Sequence, residues 1–252
     1  AKGAARNQRS RASRPHFPSA HPLRSFIRQT LKFLRWPLGV IAVLGLPAAI
    51  RTASHGMVPL FNADHLPFWC GCMLIFGLWV WRWRHARWGR FLTTIEHESL
   101  HAIVGMLTLI PVRELKVRED GSGHVLFEPP GHWLLYLAPY FMPLLLLIEV
   151  GLVRLLALPD NIEDAVLGAI LALSLLGHLQ QFHPRQTDFR HAGIVFTIAF
   201  LPTAFLMGYG AAFTMLRGGN PAALWDLFST WGAQTWADTT WAWALLIDRV
   251  NA

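Results

Sequence analysis

Long apolar runs broken by short charged stretches dominate the chain. They fall at Trp36–Ile50, Leu66–Trp81, Phe91–Ile110, Trp133–Ile148, Ala165–Phe182 and Ala192–Leu216. A helix needs ~20 apolar residues to cross hydrocarbon, and flanking Trp, Arg and Glu can extend the shorter runs by reaching the interface. The pattern therefore predicts about six membrane-spanning helices, the first interrupted by Pro37 and Pro47. One stretch has a different period. Glu114 to Glu119 and His124 to Glu128 alternate polar and apolar residues on either side of Asp120-Gly-Ser-Gly123, the signature of a β-hairpin ended by Pro129 and Pro130.

Composition agrees with a membrane class. The chain is 53% hydrophobic and 15% charged, with 12 Trp, far from the balance of a soluble domain. The expected fold is an all-α polytopic membrane protein with a short hairpin after the third helix. Four regions are expected: a basic N-terminal tail and interfacial segment over 1–35, two spans over 36–87, a core over 88–216, and a Trp-rich interfacial segment over 217–252.

Charge suggests an orientation. Residues 1–35 carry Lys2, Arg6, Arg9, Arg11, Arg14, Arg24, Arg28, Lys32 and Arg35 and no acidic residue. This tail suits anionic headgroups rather than nucleic acid. Arg82, Arg84, Arg87 and Arg90, interleaved with Trp, form a second basic belt. With six crossings, the tail, residues 82–90, residues 154–164 and the C-terminus share one side. Most of the Lys and Arg lie there, so the positive-inside rule places that side and the N-terminus in the cytoplasm.

Within the third run lies His97-Glu98-Ser99-Leu100-His101, an HExxH motif. Residues four apart share a helix face, so both imidazoles can grip one Zn²⁺ while Glu98 serves the attacking water as general base. A metal-free polar face is the alternative. Ionisable groups near hydrocarbon are costly and usually functional, which favours the metal. A third ligand must come from elsewhere. Candidates cluster in Phe182–His191: Asp188 is favoured because a carboxylate with two histidines makes a hydrolytic zinc site, with His178, His183 and His191 as competitors. Glu96 is expected beside the site, in a supporting role or at a cavity mouth.

These residues resemble the site-2 protease family of intramembrane zinc metalloproteases, most closely its small divergent bacterial branch without a PDZ domain. The likeness rests on Thr94–Ala102, the hairpin from Val112 to Phe127, Tyr136-Leu-Ala-Pro-Tyr140 and the later Asp188. It covers residues 88 to about 210. The family's last motif joins Asn-Pro to Leu-Asp-Gly, whereas this chain has His183-Pro184 and Thr187-Asp188-Phe189.

The resemblance implies Zn²⁺ held by His97, His101 and Asp188, with Glu98 catalytic. It also implies a transmembrane protein as substrate and a bacterial inner-membrane location. An unwound substrate segment would pair with the hairpin near Leu115, Val117, Val125 and Phe127. The family works near the cytoplasmic leaflet, whereas six crossings put hairpin and Asp188 on the opposite side. Two other classes remain open. One is an inactive scaffold of the same fold, which an intact Glu98 disfavours. The other is a His-box oxidoreductase using His97, His101, His178 and His183. The sequence leaves the oligomeric state undetermined.

Overall fold

The computed structural model describes residues 22–57, 61–128, 131–183, 186–216 and 220–251. The tail before Pro22, and Pro129, Pro130 and Pro184, lie outside them. The described chain is almost wholly helical: α1 (Pro22–Met57), α2 (Leu66–Trp81), α3 (Arg87–Leu107), α4 (Trp133–Leu137), α5 (Leu144–Leu156), α6 (Asp160–Gln181), α7 (Thr187–Ala192), α8 (Ile194–Leu216) and α9 (Pro221–Asn251). The expected hairpin forms between α3 and α4, as β1 (Val112–Val117) and β2 (Gly123–Phe127).

Among the described residues, four helical stretches are long and apolar enough to cross a membrane: Pro22–Gly56, Ala63–Trp81, Asp160–Gln181 and Ile194–Met215. The other two expected spans behave differently, each for a local reason. In α3, Thr93, Thr94, Glu96, His97, Glu98 and His101 dilute the apolar run. Trp133–Ile148 is broken. A 3₁₀ turn at Ala138–Tyr140 follows α4, and α5 resumes only at Leu144. Pro139 and Pro143 lack amide donors, so an unbroken helix could not keep its hydrogen-bond ladder there. Conversely, α1 carries Pro37 and Pro47 without ending and takes Arg24–Arg35 into the same helix.

Helix directions follow from specific contacts. Along α1 and α8, Arg35 lies by Gly193, Gly39 by Phe196, and Gly56 by Phe213, while Thr203 donates to the Ala42 carbonyl at 2.6 Å. The numbers rise together, so α1 and α8 are parallel. Likewise α2 and α6 are parallel, with His65 paired to Asp164 and Cys72 donating to the Gly168 carbonyl. Gly71 and Gly168 permit this close approach. A Cβ on Gly71 would meet the Ala165 carbonyl oxygen at 1.9 Å, and one on Gly168 the Phe68 oxygen at 2.0 Å.

An apolar cluster of Phe68, Leu146, Val150, Val153, Leu167 and Phe213 joins the start of α2 to the end of α8. α1 and α8 thus run toward this end of the bundle, and α2 and α6 run away from it. Six alternating crossings would make α1 and α8 antiparallel. Instead, α3, the hairpin, α4 and α5 together make a single traverse between α2 and α6. The hairpin returns to the end where α1 begins. Arg24 donates to the Glu128 carboxylate at 3.0 Å, and the Trp133 indole donates to the Leu31 carbonyl at 2.7 Å.

Charge segregates accordingly. Arg24–Arg35, residues 82–90, Arg113, Lys116, Arg118 and Arg190 gather at the hairpin end, whereas Arg51 and Arg154, paired with Asp238 and Glu163, lie toward the other. The segment 154–164, expected with the basic side, lies opposite it. The Trp-rich C-terminal stretch is one long helix. Its Trp231 donates to the Gly45 carbonyl at 2.9 Å and Asp238 pairs with Arg51, both on α1.

Candidate metal centre

α3 has one polar face and packs its middle into the bundle. His97 and His101 are 8% and 5% exposed, one helical turn apart on the same face. Their Nε2 atoms lie 3.2 Å from each other. The break between α6 and α8 allows a short helix, α7, to enter here from the basic end. Its Asp188 places Oδ2 3.5 Å from the Nε2 of both histidines. Of the four candidates for third ligand, Asp188 joins the cluster. His178 instead bonds through Nδ1 to the Ser174 carbonyl and the Tyr209 hydroxyl, and His191 stacks on Tyr136. His183 is exposed at the end of α6.

The spacing can be tested against an ion. Nitrogen and oxygen ligands lie ~2.0–2.1 Å from zinc, so the corners of a tetrahedron are about 3.3 Å apart. Edges of 3.2, 3.5 and 3.5 Å leave room for such an ion with a fourth position open. The supporting bonds also suit a metal. His101 Nδ1 donates to the Leu135 carbonyl at 2.8 Å, which turns the Nε2 lone pair toward the cluster. The Tyr140 hydroxyl donates to Asp188 Oδ2 at 3.0 Å. Tyr140 is fully buried, its ring edge-on to His97 at 5.1 Å.

Glu98 sits on the same helix under β2. A Cβ on Gly123 would lie 2.6 Å from Thr94 Cγ2 and 3.0 Å from Glu98 Cγ, so only glycine lets the strand pass this close. Asp120 shapes the turn by accepting from the Ser122 amide and hydroxyl at 2.9 and 2.7 Å. The strands pair Leu115 with Val125 and Val117 with Gly123. Leu115, Val117, Val125 and Phe127 consequently share one face, which turns toward α3. Phe127 packs near Gly105 with its ring 6.2 Å from that of His101. Val117 and Val125 are half-buried, and Leu115 is 47% exposed. These side chains mostly meet the motif helix, so what the hairpin leaves open is its backbone edge.

Glu96 is buried beside Gly177 of α6 rather than at a cavity mouth. His132 caps α4 by accepting from the Leu135 amide at 3.1 Å. The supporting roles of Tyr140, the Leu135 carbonyl and Gly123 were not legible as such. Tyr140 stood in a recognisable segment, but a backbone carbonyl carries no sequence signal at all.

Paired buried histidines, a carboxylate from a distant helix and an adjacent glutamate form a candidate metal centre set among apolar helices. The family model described as Peptidase M50B-like matches residues 69–207, over half of the chain, and the chain belongs to that family. The match runs from α2 into α8 and takes in the motif, the hairpin and Asp188. No curated protein and no solved structure matches the chain.

Proposed function

We propose that this protein is an intramembrane zinc metalloprotease that cleaves a peptide bond in or near a transmembrane segment of another protein. The observation that carries the proposal is the His97–His101–Asp188 triangle, with edges suited to a tetrahedral ion and Glu98 beside it. His97, His101 and Asp188 would hold Zn²⁺, which would supply an acidified water and polarisation of the scissile carbonyl. Glu98 takes the proton of the attacking water and delivers it to the leaving amine. Tyr140 and the Leu135 carbonyl orient Asp188 and His101. The backbone edge of the hairpin offers an unwound substrate segment a strand partner.

The side of action follows from the basic residues around the hairpin. By the positive-inside rule the end bearing Arg24–Arg35, residues 82–90 and the hairpin is cytoplasmic, in a bacterial inner membrane. The site then serves the cytoplasmic leaflet, and the basic tail meets anionic headgroups.

Metal analysis of the purified protein, combined with cleavage of a single-span reporter in proteoliposomes, tests this reading. The expected result is one zinc per chain, Glu98→Gln inactive with zinc retained, and Asp188→Asn depleted of zinc. Two irons per chain, or a Glu98→Gln protein that cleaves like the parent, would overturn it.

A further inference from the structure

α9 follows the end of α8 that lies away from the hairpin, and its contacts place it across the bundle rather than along it. Leu227 shares a small pocket with Gly210 of α8 and with Thr52 and Ala53 of α1. Farther on, Trp231 donates to the Gly45 carbonyl at 2.9 Å, Thr52 Oγ1 donates to Gln234 at 3.4 Å, and Asp238 pairs with Arg51. From Leu227 to Asp238 the helix advances about 16 Å at 1.5 Å per residue. Its partners on α1 nevertheless begin at Thr52 and end at Arg51, with the long Trp231 side chain reaching toward Gly45. α9 therefore crosses α8 and α1 at the level of Arg51. That level matches an edge of the hydrocarbon. Arg35 and Arg51 bracket a charge-free stretch of α1, about 24 Å from one to the other, against a bilayer core about 30 Å thick. The long arginine side chains reach outward over the difference.

Half-buried positions recur at helical spacing through Leu227, Trp231, Gln234 and Asp238, then stop after Thr239. Every residue over 240–251 is exposed. This free half extends about 18 Å beyond the last such position. Trp241-Ala-Trp-Ala-Leu-Leu-Ile247 is apolar on every face of the helix. A protein partner would cover one face and leave the opposite one polar, whereas a helix apolar all round suits lipid. Trp stands at 225, 231, 236, 241 and 243, and this residue concentrates at membrane–water boundaries. We propose that α9 is an in-plane arm whose free half, residues 240–251, lies in the headgroup–acyl boundary of phospholipid at the bundle end away from the hairpin. The arm thereby fixes the depth of the bundle from that side. This role is independent of the protease reading, and α9 lies outside the residues that the family model matches.

The test uses the full chain in phosphatidylcholine–phosphatidylglycerol liposomes. A genetically encoded fluorescent amino acid replaces Trp243, Ile247 or Val250, one per sample. All three are exposed, so the fold does not rest on them, and they share one helix face. The same replacement at Val43, exposed midway between Arg35 and Arg51, reads the bilayer centre. Quenching by phospholipids brominated at known acyl positions gives each depth. The three arm positions are expected to agree within about 3 Å, to lie about 5–10 Å into the boundary, and to be shallower than Val43. An arm that spans the bilayer would separate 243 from 250 by about 10 Å, which overturns the proposal. Protection of all three positions from every brominated lipid also overturns it, because water or a second copy of the chain would then surround the arm.

Discussion

Replacing Tyr140 by Phe removes one oxygen atom and leaves the ring, so packing against His97, Phe182 and Phe189 is preserved. What is lost is the 3.0 Å hydrogen bond to Asp188 Oδ2. A hydrogen bond to a charged group contributes about 1.5–3 kcal/mol, and Tyr140 is fully buried, so water cannot readily take the hydroxyl's place. At about 1.4 kcal/mol per factor of ten, the loss corresponds to a 10–100-fold weaker zinc site, the range seen when a ligand's hydrogen-bond partner is removed. Competition with a chromophoric chelator in detergent measures this directly, with the helical signal as the check on folding. Cleavage should recover in large part when zinc is supplied in excess, because Glu98 is untouched. A Tyr140→Phe protein that holds zinc within twofold of the parent would refute the assignment of Tyr140 as the residue that orients the third ligand.

Four further outcomes are expected. Gly123→Val forces a side chain into Thr94 and Glu98, so zinc should remain bound while cleavage falls at least tenfold, and unchanged cleavage would show that the hairpin can shift freely. Gly71→Val should part α2 from α6 at a cost of about 1–3 kcal/mol or more from overpacking, read as a lower Tm in detergent. Arg24→Ala frees Glu128 from one of its two arginine partners. Limited proteolysis should then nick the hairpin faster than in the parent. The same clamp sets a pH dependence. Hydrogen bonds from Arg113 and Arg24 hold the Glu128 carboxyl below its ordinary value. Its contribution is therefore complete at neutral pH and lost as pH falls through and below the ordinary carboxylate range of ~4.3. Protection of the hairpin amides, corrected for the intrinsic pH dependence of exchange, should hold at pH 6 and fall only in strong acid.

Much of this protein is legible in its residues because lipid imposes simple rules. Apolar length marked α1, α2, α6 and α8, since every backbone polar group in hydrocarbon must be paired within the helix. Period-two alternation and Asp120-Gly-Ser-Gly123 marked the hairpin. The four-residue spacing of His97 and His101 marked the two candidate nitrogen ligands, because helix geometry alone brings them onto one face. The family likeness and carboxylate chemistry favoured Asp188 among four candidates.

What residue order left undetermined depended on contacts between distant segments. Hydropathy counts apolar residues without regard to direction, so it rendered α3 and the broken α4–α5 stretch as two crossings. The parallel packing of α1 on α8 and the Arg24–Glu128 bond show them to be one traverse, which brings the hairpin back to the basic end. Asp188 could be weighed against His178, His183 and His191 by chemistry, yet only the packing of α7 on α4 brings its carboxylate to the two rings. The roles of Tyr140, the Leu135 carbonyl and Gly123 exist only in three dimensions, because a hydrogen bond or a close approach is a relation between two places on the chain. Local periodicity thus determined the elements and the paired histidines. Tertiary packing decided how the candidate third ligand approaches, what supports it and which end of the bundle the hairpin occupies.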